Sequence, residues 1–407
     1  MMDALDQLNL RHLRAVVAVA ARGTVTAAAA DVALSQPALT QGLAKLETML
    51  GRPLFDRHAD GMRTTEAGAI MVARTAAAAK LLADTIRAIR GRGMAQGFAR
   101  ADLLLTMTQL RALAALAREG SYVAAARATG VTQPAVHRAV RDIERLCGVP
   151  LVERRGRGVM LTAAGVRLGR AARLALAEIG AALDEVAALS GRDHGRIAIG
   201  AMPLARAWLL PTAIGRFHRD EPHMVFDIAE GAYSELVEPL RDGEFDLLLG
   251  ALRDPPPAPD LIQEPFFVDR IAVVARAAHP LMQDGVRPDL ATLAGHSWLA
   301  PRRGTPLRHL WERLFGEAGL PLPAVWIECG SVMMLRTLMM SGDYLTLLSA
   351  EQVAFELDAG VLRHIALTPP SMRRTIGVTM RAGWRPTGAQ ARFLDLLRHV
   401  GTTRTSA

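Results

Sequence analysis

"VTQPAVHRAVRDIERLCGVPLVERRGRGVMLTAAG", residues 131–165, sets the architecture of the N-terminal half. Thr132 stands where a helix N-cap is expected, and Pro134 falls in the first turn, where its missing N–H costs nothing. Val136, Val140 and Ile143 recur at i, i+4 and i+7 and predict an inward face. Gln133, His137, Arg138 and Arg141 share the opposite, polar face, whose donors suit base edges and phosphates. The following "GVPLVERRGRGVML" predicts two short strands around a glycine turn, with a new helix starting near Thr162. Upstream, "LRALAALAREG" (110–120) and "SYVAAARATG" (121–130) predict two shorter helices, each stopped by glycine. Helix, helix, recognition helix and β-wing together describe a winged helix-turn-helix.

The chain contains this device twice. Residues 10–68 align without a gap on residues 107–165 at an offset of 97, with 21 of 59 positions identical. The identities include Leu13/Leu110, Arg14/Arg111, Gln36-Pro37-Ala38/Gln133-Pro134-Ala135, Glu47/Glu144, Pro53/Pro150 and Gly68/Gly165. A solenoid needs more repeats than two to close its core, so the pattern predicts tandem small domains. The first copy offers Ser35, Gln36, Pro37, Thr40, Gln41 and Lys45 along its recognition helix, but it also places Gly42 there, which costs about 1 kcal/mol relative to alanine. Residues 132–158 carry 6 arginines against 3 acids, whereas 35–61 carry 3 basic residues against 3 acids. The second wing reads Arg154-Arg155-Gly156-Arg157-Gly158, suited to DNA backbone or minor groove, where the first has Arg57-His58-Ala59-Asp60-Gly61. The second copy is therefore expected to be the main reader and the first an auxiliary one.

Charge is partitioned along the 407 residues. Net charges are +5 over 1–100, +5 over 101–192 and −2 over 193–407, which places a polyanion partner at the N-terminal half. The opening "MMDALDQLNL" has no basic and apolar export signal, and no apolar run reaches membrane-spanning length, so a cytoplasmic location is expected. Cys147 and Cys329 alone provide neither a disulfide framework nor a thiolate metal cluster.

The spaced pattern S/T-Q-P-A, then L/I-E, G-x-P-L, a wing arginine and T-x-A-G, present in both copies, resembles the DNA-binding domain of LysR-type transcriptional regulators. Leu209-Leu210-Pro211, Glu230-Gly231, Asp246-Leu247 and His279-Pro280 resemble landmarks of that family's effector domain. The extra N-terminal copy departs from the family's usual single reader. The implied fold class is multidomain: two helical winged helix-turn-helix domains, then an α/β effector domain of two subdomains resembling periplasmic solute-binding proteins. Expected boundaries are 1–68 and 102–165 for the two readers and 69–101 for a helix and linker. Residues 166–192 are expected as a linker and dimerisation helix and 193–400 as the effector domain, with subdomain I at about 195–268 and 365–400 and subdomain II at about 269–364. Leu168, Ala172, Leu176, Ile179, Leu183 and Val186 form a stripe in the linker helix that is offered to another helix, which the resemblance places in a second chain.

From Gly195 onward, alternating strands and helices predict a parallel sheet covered by helices. Ligands in such sheets sit beyond the carboxyl ends of strands. The expected effector cleft is bounded by Met202, Pro203 and Leu204, by Gly250 and Ala251, by Pro301 and Thr305, and by Ser331. Thr305 and Ser331 are the expected hydroxyl donors. Met202-Pro203-Leu204 replaces the Ser or Thr of many family members, which argues against a simple carboxylate there. Met333, Met334, Met339 and Met340 read as core. No nucleotide loop, metalloprotease motif or nucleophile elbow supports an enzyme, and His218 with His223 reads as a solvated loop rather than a metal site. The resemblance implies promoter double-stranded DNA, a small-molecule effector, a homodimer or homotetramer and RNA polymerase as partners, with no cofactor. A ligand-independent architectural DNA protein and a solute-binding protein are the competing readings.

Overall fold

The computed structural model describes residues 5, 7–59, 61–91, 98, 100–156, 158–191, 195–282, 288–366 and 373–403. The chain divides into two compact units that meet in sequence at Gly195 and Arg196.

In the first unit, α1 (Leu10–Arg22), α2 (Val25–Asp31) and α3 (Gln36–Leu50) precede a hairpin of β1 (Phe55–His58) and β2 (Gly61–Thr64) and the long α4 (Glu66–Arg90). After α5 (Ala101–Leu104), the same order returns as α6 (Met107–Glu119), α7 (Tyr122–Thr129), α8 (Gln133–Cys147), the hairpin β3 (Val152–Arg155) and β4 (Gly158–Leu161), and the long α9 (Ala163–Ala188). Several residues identical in the two copies make the same contacts. Glu47 Oε1 accepts the Leu54 N–H at 2.8 Å, and Glu144 Oε1 accepts the Leu151 N–H at 2.8 Å, which ties α3 and α8 to the hairpins that follow them. Thr65 and Thr162 each cap a long helix by accepting from the glycine three residues on, and each donates its hydroxyl to the carbonyl of Pro53 or Pro150. A Cβ at Gly68 or Gly165 would lie 1.9 or 2.0 Å from the carbonyl oxygen of Leu54 or Leu151, so only glycine admits that crossing.

One core runs through both copies. It joins Leu13, Leu39, Leu46 and Leu54 of the first to Leu110, Ile143 and Leu151 of the second through Met71, Leu82 and Ile86 of α4 and Leu168, Ala175 and Ile179 of α9. The stripe on α9 is filled within the chain: Leu168, Ala172, Ile179 and Val186 are buried, and α4 packs along it. This differs from the expectation of a partner chain, because the first copy's own long helix supplies a matching apolar face at the same offset.

The second unit is built on a nine-stranded sheet. β5 (Arg196–Ala201), β6 (Val225–Glu230) and β7 (Leu247–Ala251) are parallel, in the order β7-β5-β6. β9 (Ser297–Ala300), β10 (Val325–Glu328) and β11 (Tyr344–Ser349) form a second parallel group. The 16-residue β8 (Leu261–Arg276) crosses between the groups, pairing antiparallel with β13 (Arg373–Arg381) in its first part and with β11 and β12 (Leu362–Ala366) in its second. Helices α10 (Leu209–Asp220), α11 (Tyr233–Arg241), α13 (Pro306–Gly316) and α14 (Val332–Ser341) connect these strands; α12 (Leu290–Ala294), α15 (Ala354–Asp358) and α16 (Gly388–Thr403) complete the helices named here. Contrary to the core reading of the methionine run, only Met339 is buried. Met333, Met334 and Met340 are exposed because a single face of α14 meets the sheet.

Candidate nucleic-acid interface and effector site

On α8, Val136, Val140 and Ile143 are fully buried, which turns Gln133, His137, Arg138 and Arg141 outward. Thr132 occupies the N-cap position, but its hydroxyl makes no capping bond; the Ala135 and Val136 N–H groups donate to its carbonyl. Pro134 is exposed in the first turn. The His137 ring lies 5.2 Å from that of Tyr122, which holds it against α7. Arg141 pairs with Glu144 at 3.2 Å while its own side chain stays 60 % exposed, so the pair leaves it available to a phosphate. Arg154 is exposed on β3. Arg157, and the side chain of Arg155, lie outside the described residues.

On α3, Ser35 caps the helix by accepting from Ala38 N–H at 3.3 Å, and Gln36 and Pro37 are exposed in the first turn. Thr40 turns its hydroxyl into its own helix, donating to the Gln36 carbonyl at 3.0 Å, while Gln41 and Lys45 are exposed. Gly42 is not a defect of this helix: a Cβ there would lie 2.7 Å from the His12 ring, so glycine admits the histidine. Burial and the neighbouring Lys45 push the His12 imidazole below its ordinary pKa.

In the second unit, the parallel pairing brings the carboxyl ends of β5, β6 and β7 to one edge. Met202 and Leu204 lie there and are buried, Met202 packing in a core with Leu236, Leu240, Leu248 and Leu261. Pro203 is half-buried beside them. Gly250, at φ +152, passes directly under Met202, where a Cβ would come within 2.3 Å of the methionine side chain. Ala251 follows, half-buried. At the other group of strand ends, Pro301 is buried, and its carbonyl accepts from Arg308 at 3.3 Å. Thr305 caps α13 and donates its hydroxyl to the Arg302 carbonyl at 2.7 Å, so the expected ligand donor is already engaged. Ser331 caps α14 by accepting from Met334 N–H at 3.4 Å, which leaves its O–H free to donate.

Polar groups outside the expected set gather beyond β7. The Arg253 guanidinium lies 4.8 Å from the centre of the Tyr233 ring, and burial lowers its pKa while raising that of the tyrosine. Among the described residues Arg253 has no carboxylate partner. Leu252 N–H donates to the Thr375 carbonyl, which brings the start of β13 alongside. There Arg374 bonds buried Asp269 at 2.7 Å, and Ser349 donates to the same carboxylate at 2.6 Å. Among the described residues, the Tyr233 hydroxyl and Arg374 Nη2 are buried without a hydrogen-bond partner. Arg253 follows Ala251 by two positions and was within reach of sequence reading. Arg374 was not, because only the antiparallel pairing of β13 with β7 brings it there.

Residues 190–402 match the LysR substrate binding domain, and residues 10–69 and again 107–166 match the bacterial regulatory helix-turn-helix protein, lysR family. The HTH-type transcriptional regulator GalR of Pseudomonas putida is 34 % identical over 397 residues, spanning 97 % of this chain and 98 % of that protein. PcaQ of Agrobacterium fabrum, also an HTH-type transcriptional regulator, is 27 % identical over 74 % of this chain and 96 % of its own length. A solved full-length OxyR from Pseudomonas aeruginosa shares the fold with a TM-score of 0.52 and 24 % identity, covering 72 % of this chain and 93 % of that one. No helix among the described residues is long and apolar enough to cross a membrane.

Proposed function

The chain belongs to the LysR family of bacterial transcriptional regulators, and from that membership we propose how its parts divide the work. It is a DNA-binding regulator with a substrate-binding domain. Its two N-terminal copies act as tandem winged helix-turn-helix readers, within 1–68 and 102–165, and the second carries most of the affinity. The observation that supports this most is that the buried inner face of α8 commits Arg138 and Arg141 to solvent beside Gln133, where the equally buried α3 offers Gln41 and Ala44. Thr132, with its uncommitted hydroxyl, His137 and Arg154 extend that face. Arg155 and Arg157 belong to the same wing by sequence. Gln36, Gln41 and Lys45 supply a sparser set on α3, near Ser35, Pro37 and Thr40.

The effector is a small molecule with an anionic group, bound beyond the strand ends by Arg253 and Tyr233, with Ser331 and the backbone near Gly250, Ala251, Pro301 and Thr305 bounding the site. Among the described residues, a partly buried guanidinium with no carboxylate partner, over the ring of a tyrosine whose hydroxyl lacks a hydrogen bond, is what supports an anion there. Binding biases the geometry of a homo-oligomer on promoter DNA, and hence its effect on RNA polymerase. The protein acts in the cytoplasm and without catalysis. Because the first strand end offers no hydroxyl donor, the anion is held by the Arg253 guanidinium instead, and calorimetry with a panel of small carboxylates, on the wild type and on Arg253→Met, tests the effector site. Loss of the bound carboxylate in the variant supports it, and unchanged affinity sinks it.

A further inference from the structure

Resting on the DNA-reading role proposed above, we infer that the two readers of one chain pair with each other through α4 and α9, so that a single chain presents two unequal recognition helices to a bipartite, non-palindromic DNA site. The two long helices run antiparallel. Arg52, which follows α3, donates to Ser190 Oγ at 2.9 Å and to the Leu189 carbonyl, just past the end of α9. At the opposite end, beyond α4, Phe98 N–H donates to the Leu146 carbonyl at 3.0 Å, close to the end of α8. Each long helix therefore ends beside the recognition helix of the other copy. Arg14 of α1 adds a third link, donating to the carbonyls of Asp102, Leu103 and Leu105 ahead of α6.

Charge makes the pairing heterotypic. Arg74 of α4, almost fully buried, donates to Glu185 at 2.8 and 3.0 Å and to Glu178 at 3.1 Å, both on α9. At the offset of 97 that relates the copies, Arg74 corresponds to Ala171, Glu178 to Leu81 and Glu185 to Ala88. Buried positions keep the same correspondence along the helices, as Met71 with Leu168, Ala78 with Ala175 and Leu82 with Ile179. An antiparallel pair of two α4 helices from different chains would set Arg74 against Leu81 and Ala88. A pair of two α9 helices would set both glutamates against Ala171. Either leaves a buried charge without a partner, whereas α4 with α9 leaves none of these three unpaired. The α9 stripe is, moreover, already covered within the chain, so a second chain must first displace α4 to reach it.

Two measurements on the full chain test this. In the first, Arg52→Cys with Ser190→Cys is bridged with a short bis-maleimide; native Cys147 and Cys329 are buried, and burial pushes the Cys147 thiol up to about 11, so both stay silent. The expected product has the mass of one chain, and a covalent two-chain product overturns pairing within the chain. In the second, binding sites are selected from random duplex DNA. The wild type is expected to enrich two unequal half-sites, with Arg138→Ala altering the preference at one half only and Gln41→Ala at the other only. A palindrome whose halves both change with Arg138→Ala overturns the inference while leaving DNA reading intact. No enrichment of any sequence overturns DNA reading itself, and the inference with it. If Arg74→Glu abolishes the one-chain crosslink, addition of Glu185→Arg is expected to restore it; failure to restore argues against the charge pairing.

Discussion

Residue by residue, the identities shared by the two copies divide into those that fold each helix-and-hairpin unit and those exposed on its third helix, such as Gln36 and Gln133. Glu144, Thr162 and Gly165 belong to the first kind, since each fixes the wing or the long helix by a contact that recurs at Glu47, Thr65 and Gly68. Gly165→Ala drives a methyl group into the Leu151 carbonyl and is expected to destabilise the first unit by about 1–3 kcal/mol, read as a lower midpoint in urea unfolding. Glu144→Ala strands the buried Leu151 N–H and is expected to cost about 1–3 kcal/mol in the same assay. The sequence pattern showed these residues but not their roles: a glutamate in a motif reads as surface charge until the chain reversal brings a backbone N–H onto it. The outward residues were legible, because the periodicity of Val136, Val140 and Ile143 leaves only one face for Arg138 and Arg141. Arg138→Ala combined with Arg141→Ala is expected to weaken DNA binding at least tenfold more than Lys45→Ala; equal losses in a titration would contradict the ranking of the two readers.

Among the elements, the stripe on α9 was plain in the sequence, and its partner was not. Periodicity specifies that a helix has an apolar face, not which of several apolar helices covers it. The buried Arg74 with Glu178 and Glu185 decides that question here. Removing the arginine alone leaves two carboxylates facing an apolar seam, and Arg74→Leu is expected to cost about 3–5 kcal/mol. Replacing all three by leucine is expected to restore most of that loss in chemical denaturation, because the seam is then uniformly apolar. A triple variant no more stable than Arg74→Leu would show that the charges stabilise the pair beyond choosing its partner. The effector site shows the same limit. Strand ends were predictable from the βαβ pattern, but the placement of Arg374 beside Arg253 depends on a strand pairing that no local pattern encodes.

Across the molecule as a whole, net positive charge is confined to residues 1–192, which carry the two helix-turn-helix copies, while residues 193–407 are slightly acidic. DNA affinity is therefore expected to fall steeply with salt, with a slope near −0.9 for each phosphate neutralised. Deleting residues 1–100 removes α4 as well as the first reader and lays the α9 stripe open. Light scattering of that truncation is expected to show self-association absent from the full chain; a monodisperse truncation with the full chain's association state would mean that α4 is not what covers the stripe.

We propose that this regulator grips DNA chiefly through its second reader, and a salt-titrated affinity measurement on a selected duplex, comparing the wild type with Arg138→Ala/Arg141→Ala, tests that most directly. The double variant is expected to bind more weakly at every salt concentration and to show a salt slope shallower by roughly one for each phosphate it no longer neutralises. Superimposable titrations for the two proteins would contradict a dominant second reader.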